Sequence, residues 1–105
     1  MENRDEKYII IVSNTASERL VSHARFLTKV SEQAAEILIE EFQAKAKSLA
    51  EFPEGNPWLS DSTLHINKYR KLLIYKRYLL IYQIKGKTVY VDYVLDCRQD
   101  YNWLL

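Results

Sequence analysis

Three runs of Tyr, Leu, Ile and Val, at residues 69–75, 78–84 and 88–95, follow one another near the end of the chain with almost nothing between them. The gaps are Lys76-Arg77 and Lys85-Gly86-Lys87. A parallel crossover takes a dozen residues or more, so runs this closely spaced must return on each other as an antiparallel meander with two tight hairpins. The last run, residues 89–95, reads as a period-two strand.

A meander with one apolar face needs a second layer, and the first half of the chain supplies it. Residues 8–12, Tyr-Ile-Ile-Ile-Val, are continuously apolar and β-branched, which reads as a strand buried on both faces or central in a sheet. Ser13-Asn14 ends it, and Thr15-Ala16-Ser17-Glu18 fits a capping box. Leu20, Ala24, Leu27, Phe26 and Val30 recur at helical spacing, predicting a helix from 16 to about 30. Ser31 is a second N-cap, and Ala34, Ala35, Leu38, Phe42, Ala46 and Leu49 form the stripe of a longer helix. With so short a link the two helices form an antiparallel hairpin. Pro53, Gly55 and Pro57 stop the second helix and open a loop to about Ser62.

The order β-α-α-β-β-β predicts an α+β fold: an N-terminal strand, an antiparallel helix hairpin, then a three-stranded antiparallel meander, packed in two layers. The first strand is expected to join the sheet beside a C-terminal strand, because an isolated Ile9-Ile10-Ile11 edge would aggregate. At 105 residues the chain is expected to be one domain, 1–105.

Composition narrows the class. The chain is 48% hydrophobic and 28% charged, as in ordinary globular proteins. No apolar run approaches the ~20 residues that span a bilayer, and the charged start does not read as a signal peptide. The single Cys97 excludes an internal disulfide and a Cys-based zinc site. These features lead to the expectation of a cytoplasmic protein without membrane contact. His23 and His65 are expected at the surface or its boundary, with no ligand cluster for a metal. Only Gly55 and Gly86 are available, so no glycine-rich phosphate loop exists. No cofactor is implied.

Net charge is +1, unevenly divided. Residues 1–54 carry seven Lys/Arg against ten Asp/Glu, hence −3; residues 55–105 carry eight against four, hence +4. Lys68, Arg70, Lys71, Lys76, Arg77, Lys85 and Lys87 form a basic run without an acidic residue, interleaved with Tyr. Lys and Arg neutralise phosphates and Tyr rings stack on bases, so this stretch is a candidate nucleic-acid or target-binding surface, with Lys68, Lys71, Lys76 and Arg77 its candidate contacts. The same pattern also suits an ordinary solvated strand face, with Tyr75, Tyr78, Tyr82 and Tyr93 packing in the core. The chain ends on Arg98, Asp100, Tyr101, Trp103, Leu104 and Leu105. Arg98 beyond a strand end can bind an anion and Tyr101 can offer a hydroxyl; alternatively Arg98 and Asp100 pair while Trp103 covers the core edge.

Two stretches carry a resemblance. In "YRKLLIYKRYLLIYQI" an aromatic-Arg pair, Tyr69-Arg70, opens one strand and Tyr78-Leu79-Leu80-Ile81-Tyr82 forms the next; "DCRQDY" follows at the end. With the element order, these resemble the RelE/ParE superfamily of type II toxin–antitoxin toxins, of the ParE-like, plasmid-stabilisation type. The resemblance implies a growth-inhibiting toxin neutralised by a cognate antitoxin, with operator DNA reached only through that antitoxin. It implies functional basic and aromatic residues on an open sheet face and at its C-terminal end. ParE-like members poison DNA gyrase. RelE-like members cleave mRNA on the ribosome, and in that case Arg70, Arg98 and Tyr101 would be the catalytic residues. A non-toxic protein-binding module is a third reading. Two positions depart from the nuclease pattern: Leu79 stands where an Arg precedes the aliphatic-aliphatic-Tyr, and Asp100 stands where some nucleases carry a His.

Overall fold

The computed structural model describes residues 7–59 and 68–98. Strand β1 (Ile9–Val12) leads into helices α1 (Asn14–Thr28) and α2 (Glu32–Ser48). A short 3-10 turn (Pro53–Gly55) precedes strands β2 (Arg70–Ile74), β3 (Tyr78–Lys85) and β4 (Thr88–Asp96). The sheet order is β1-β4-β3-β2. β2–β3 and β3–β4 pair antiparallel, and β1 pairs parallel with β4. The fold is therefore α+β with a mixed sheet, and the first strand does lie beside the last.

The helix boundaries follow from local chemistry, with one shift. The α1 N-cap is Ser13 rather than Thr15: its Oγ accepts from Ala16 N at 3.0 Å and donates to Asp92 O at 3.1 Å. The cap thus ties the helix start to β4 as well as ending β1, which a box beginning at Thr15 could not do. Ser31 caps α2 through Ala34 N at 3.2 Å, after a link of only Lys29–Ser31. Leu20 and Leu27 of α1 and Ala35, Leu38, Phe42 and Ala46 of α2 face the sheet and pack on Ile74, Tyr78, Leu80, Tyr82, Val89, Val91 and Val94.

β1 is not a central strand. It sits at the sheet edge, where Ile10 and Val12 pack on the core while Ile9 and Ile11 are 61% and 45% exposed. Its continuous apolar run misleads because one of its two faces is left uncovered.

β4 does not keep a period of two. Ile81 pairs with Tyr93 and Tyr82 with Val91, so Asp92 is an extra residue left out of the backbone pairing, a β-bulge, although its carboxylate accepts from Gln83 Nε2 on β3 at 2.6 Å. Val89 and Val91 face the helices before it; Val94 does so after it. The inward parity changes from odd to even, and Asp96 therefore turns inward, where it is 1% exposed.

The face away from the helices is not open across its width. Leu59, Tyr69, Ile81 and Leu95 form a second buried cluster there, with Leu79 and Tyr93 against it. No helix among the described residues is long and apolar enough to cross a membrane.

Candidate functional site

The basic residues divide into two groups at opposite ends of the sheet. Arg70 pairs with Tyr82, whereas Ile74 pairs with Tyr78 and Tyr78 with Asp96. Four strand positions separate the two levels, about 13 Å at ~3.3 Å per residue.

At the first end Arg70 holds a loop. Its Nη1 donates to Asn56 O at 2.7 Å and Glu54 O at 3.1 Å, and its guanidinium stacks on Trp58, 3.7 Å from the ring centroid. Both bonds leave from one nitrogen while Nε is buried without a hydrogen-bond acceptor, and stacking on the indole covers the guanidinium face. Tyr82, fully buried, completes the anchor: its hydroxyl donates to Pro53 O and accepts from Asn56 Nδ2. The loop then runs beside β2, with Lys71 N donating to Pro57 O at 3.0 Å and Leu59 N to Tyr69 O at 2.7 Å. Lys68 is exposed with its ammonium over the Tyr69 ring, and Lys71 lines a shallow cleft with Asn56, Pro57, Leu73 and Leu79.

At the second end Arg77 meets Asp96. The guanidinium donates from Nη2 to Oδ2 at 3.0 Å and from Nε to Oδ1 at 3.3 Å. Arg77 also lies over the rings of Phe26 and Tyr78. Burial alone would raise the Asp96 pKa, but bonds from Arg77 and the Arg98 amide, and the Arg77 charge, outweigh it and hold the carboxyl below its ordinary value. Lys76 is exposed at the tip of the β2–β3 hairpin, where Tyr75 and Lys76 both have positive φ, 51° and 55°. Positive φ at both central positions matches the twist of a tight hairpin but is strained for side chains with a Cβ. Tyr75 N is held there by Glu41 Oε2 at 2.8 Å.

Arg98, exposed, joins Arg77, Tyr75, Phe26, Leu27, Val30 and Ala34 around a groove of about 600 Å³ between the helix-hairpin tip and the end of β4. Phe26 and Val30, 43% and 78% exposed, give it an apolar floor. Arg70 and Arg98 are thus at different ends of the molecule. Tyr101, Asp100, Trp103, Leu104, Leu105 and His65 lie outside the described residues. Burial raises the pKa of Tyr69, Tyr78 and Tyr82, in Tyr69 with help from Asp92, so none of these phenols is prepared to give up its proton near neutral pH. No group of His, Cys, Asp and Glu among the described residues can hold a metal ion.

His23 departs from the surface placement expected of it. It is 5% exposed, its Nε2 is 2.9 Å from Val94 O, and its ring lies 4.8 Å from that of Tyr78. The sequence signal was available: His23 is three residues after Leu20 and four before Leu27, on the buried stripe of α1.

An edge strand, a helix hairpin and a meander in one mixed sheet make an α+β fold of the RelE/ParE type. The chain belongs to the family of the ParE toxin of type II toxin–antitoxin systems, parDE, whose family model matches residues 10–101. Among solved structures it is similar to a chain of the chromosomal ParDE toxin–antitoxin system from P. aeruginosa, with a TM-score of 0.68 at 13% identity, covering 85% of this chain and 95% of that one. No curated protein sequence matches it. The protein is thus a type II toxin, and its family implies a cognate antitoxin.

Proposed function

We propose that this toxin arrests bacterial growth from the cytoplasm by binding a protein target, DNA gyrase, and not by cutting RNA. The reading takes residues 1–105 as one toxin domain. The observation that carries it is the dispersal of the cations. Phosphodiester cleavage needs several positive groups converging on one phosphate as its charge develops. Here Arg70 is spent on two loop carbonyls, Arg77 on Asp96, and Leu79 occupies the mid-strand position. A groove with an apolar floor and Arg98 on its rim suits a protein surface better than a scissile phosphate. The antitoxin, expected to be encoded next door, would silence the toxin by covering basic residues such as Lys71 and Arg98 with an acidic, amphipathic tail, and would supply any contact with operator DNA.

The test is induced expression in a bacterial host, following plasmid supercoiling and protein synthesis together. Loss of negative supercoiling before any drop in translation supports the gyrase reading. Early collapse of translation with cleaved mRNA favours the ribosome-dependent endoribonuclease and overturns it. Harmless expression of soluble, folded protein leaves the plain protein-binding module.

A further inference from the structure

The Arg77–Asp96 pair does more than close the core. Asp96 Oδ1, which receives Arg77 Nε, also accepts the backbone N–H of Arg98 at 2.8 Å. The carbonyl of Arg77 in turn accepts Cys97 N at 2.8 Å. Residues 97 and 98 are therefore fixed twice to the same arginine, once through its main chain and once through its side chain by way of Asp96. A side-chain oxygen that accepts the N–H two residues on bends the chain at that point. The bond sits directly after β4, so it sets the direction in which the chain leaves the sheet. The bulge at Asp92 is what makes this possible: without the parity change Asp96 would face the other side of the sheet, away from His23 and the helices.

From this geometry we infer that Asp96, locked by Arg77, is a positioning residue that aims Arg98 onto the groove formed with Phe26, Val30 and Tyr75. The pair has a second effect. Asp96 pairs with Arg77, which leaves Arg98 as the other charged side chain among the described residues lining that groove. A partner would then be read by one placed cation beside an apolar surface, which selects a single carboxylate followed by apolar side chains. The inference rests on the reading of Arg98 as a contact to the protein target.

Two double variants separate positioning from stability, because replacing a buried ion pair by apolar groups often leaves stability intact. Asp96→Leu with Arg77→Met removes the pair and the acceptor for Arg98 N–H. Asp96→Asn with Arg77→Met removes the pair but keeps a carbonyl that can accept it. Growth inhibition is measured per folded molecule, with thermal melting as the control. The leucine double is expected to lose at least tenfold in growth inhibition, and the asparagine double to recover most of it. Equal activity of the two doubles at equal melting temperature overturns the inference. Arg98→Ala decides the underlying reading by itself: parental growth inhibition from that variant means Arg98 is no contact, whatever the doubles do. If the leucine double does not fold, the amide resonance of Arg98 in the parent decides. It must follow one carboxyl titration that vanishes in Asp96→Asn, and an amide that does not move with pH overturns the inference.

Discussion

His23 on α1 and Val94 on β4 are joined by a bond of 2.9 Å across 71 residues of sequence. A carbonyl only accepts, so the ring nitrogen Nε2 carries the hydrogen. The bond pins the first helix to the strand just beyond the bulge, on the side where Asp96 turns inward. His23→Leu fills similar space but removes the donor. It is expected to cost about 1–3 kcal/mol, the penalty for a buried polar group left without its partner. Denaturant unfolding of the parent and variant measures this, and a loss under ~0.5 kcal/mol refutes it.

Two buried tyrosines should respond oppositely to loss of their hydroxyls. The Tyr82 hydroxyl donates to Pro53 O and accepts from Asn56, so Tyr82→Phe is expected to destabilise by about 1–2 kcal/mol and to speed proteolysis of the loop after α2. The Tyr78 hydroxyl is buried with no partner, so Tyr78→Phe is expected to be neutral or slightly stabilising. Melting curves of the two variants side by side are the check.

Arg70 reads as a loop staple. Arg70→Met keeps the aliphatic contact with Trp58 but loses both carbonyl bonds, and a stability loss of about 2 kcal/mol is expected. Toxicity per folded molecule should be unchanged. A variant that folds normally yet is a hundredfold less toxic would return Arg70 to the catalytic role that its motif suggested.

Stability should depend on acid through Asp96. Its folded pKa lies below the ordinary aspartate value of about 3.9, so the pair's contribution is present in full above that value and is lost as pH falls through the lowered one. The melting temperature of the parent should therefore fall more steeply below pH 4 than that of Asp96→Asn. Parallel curves for the two proteins would show that the pair contributes no acid sensitivity.

Ser13 joins two elements with one hydroxyl. Ser13→Ala removes the α1 cap and the bond to the bulge carbonyl, at an expected cost of about 1–2 kcal/mol. Thr15→Ala, beyond the cap, should cost a few tenths at most. Similar losses in both variants would place the cap at Thr15 after all.

Phe26 and Val30, read into the α1 stripe, are 43% and 78% exposed, but the element order, the Leu20 and Leu27 positions of that stripe, the α2 stripe, the Ser31 cap and the two hairpins were legible in the sequence. Each depends on the spacing of apolar and turn residues within a few positions, and such spacing acts through local backbone geometry. The burial of His23 and the placing of Ser13 at the cap were within reach of the same reasoning, since both follow from counting along one helix. The edge position of β1 was not, because a run of Ile is compatible with one covered face or two, and only sheet order decides. The pairing of cations was out of reach for a similar reason. Arg70 and Arg77 look alike in a basic run, and what each meets is set by a loop 14 residues away in one case and by a strand end 19 residues away in the other. Above all, the tertiary structure decided the parity of β4. One inserted residue at Asp92 reverses every side chain after it, and no local propensity marks where a strand absorbs an extra residue to keep both ends in register. That reversal brings Asp96 to Arg77, and so the placement of Arg98 is a property of the assembled sheet.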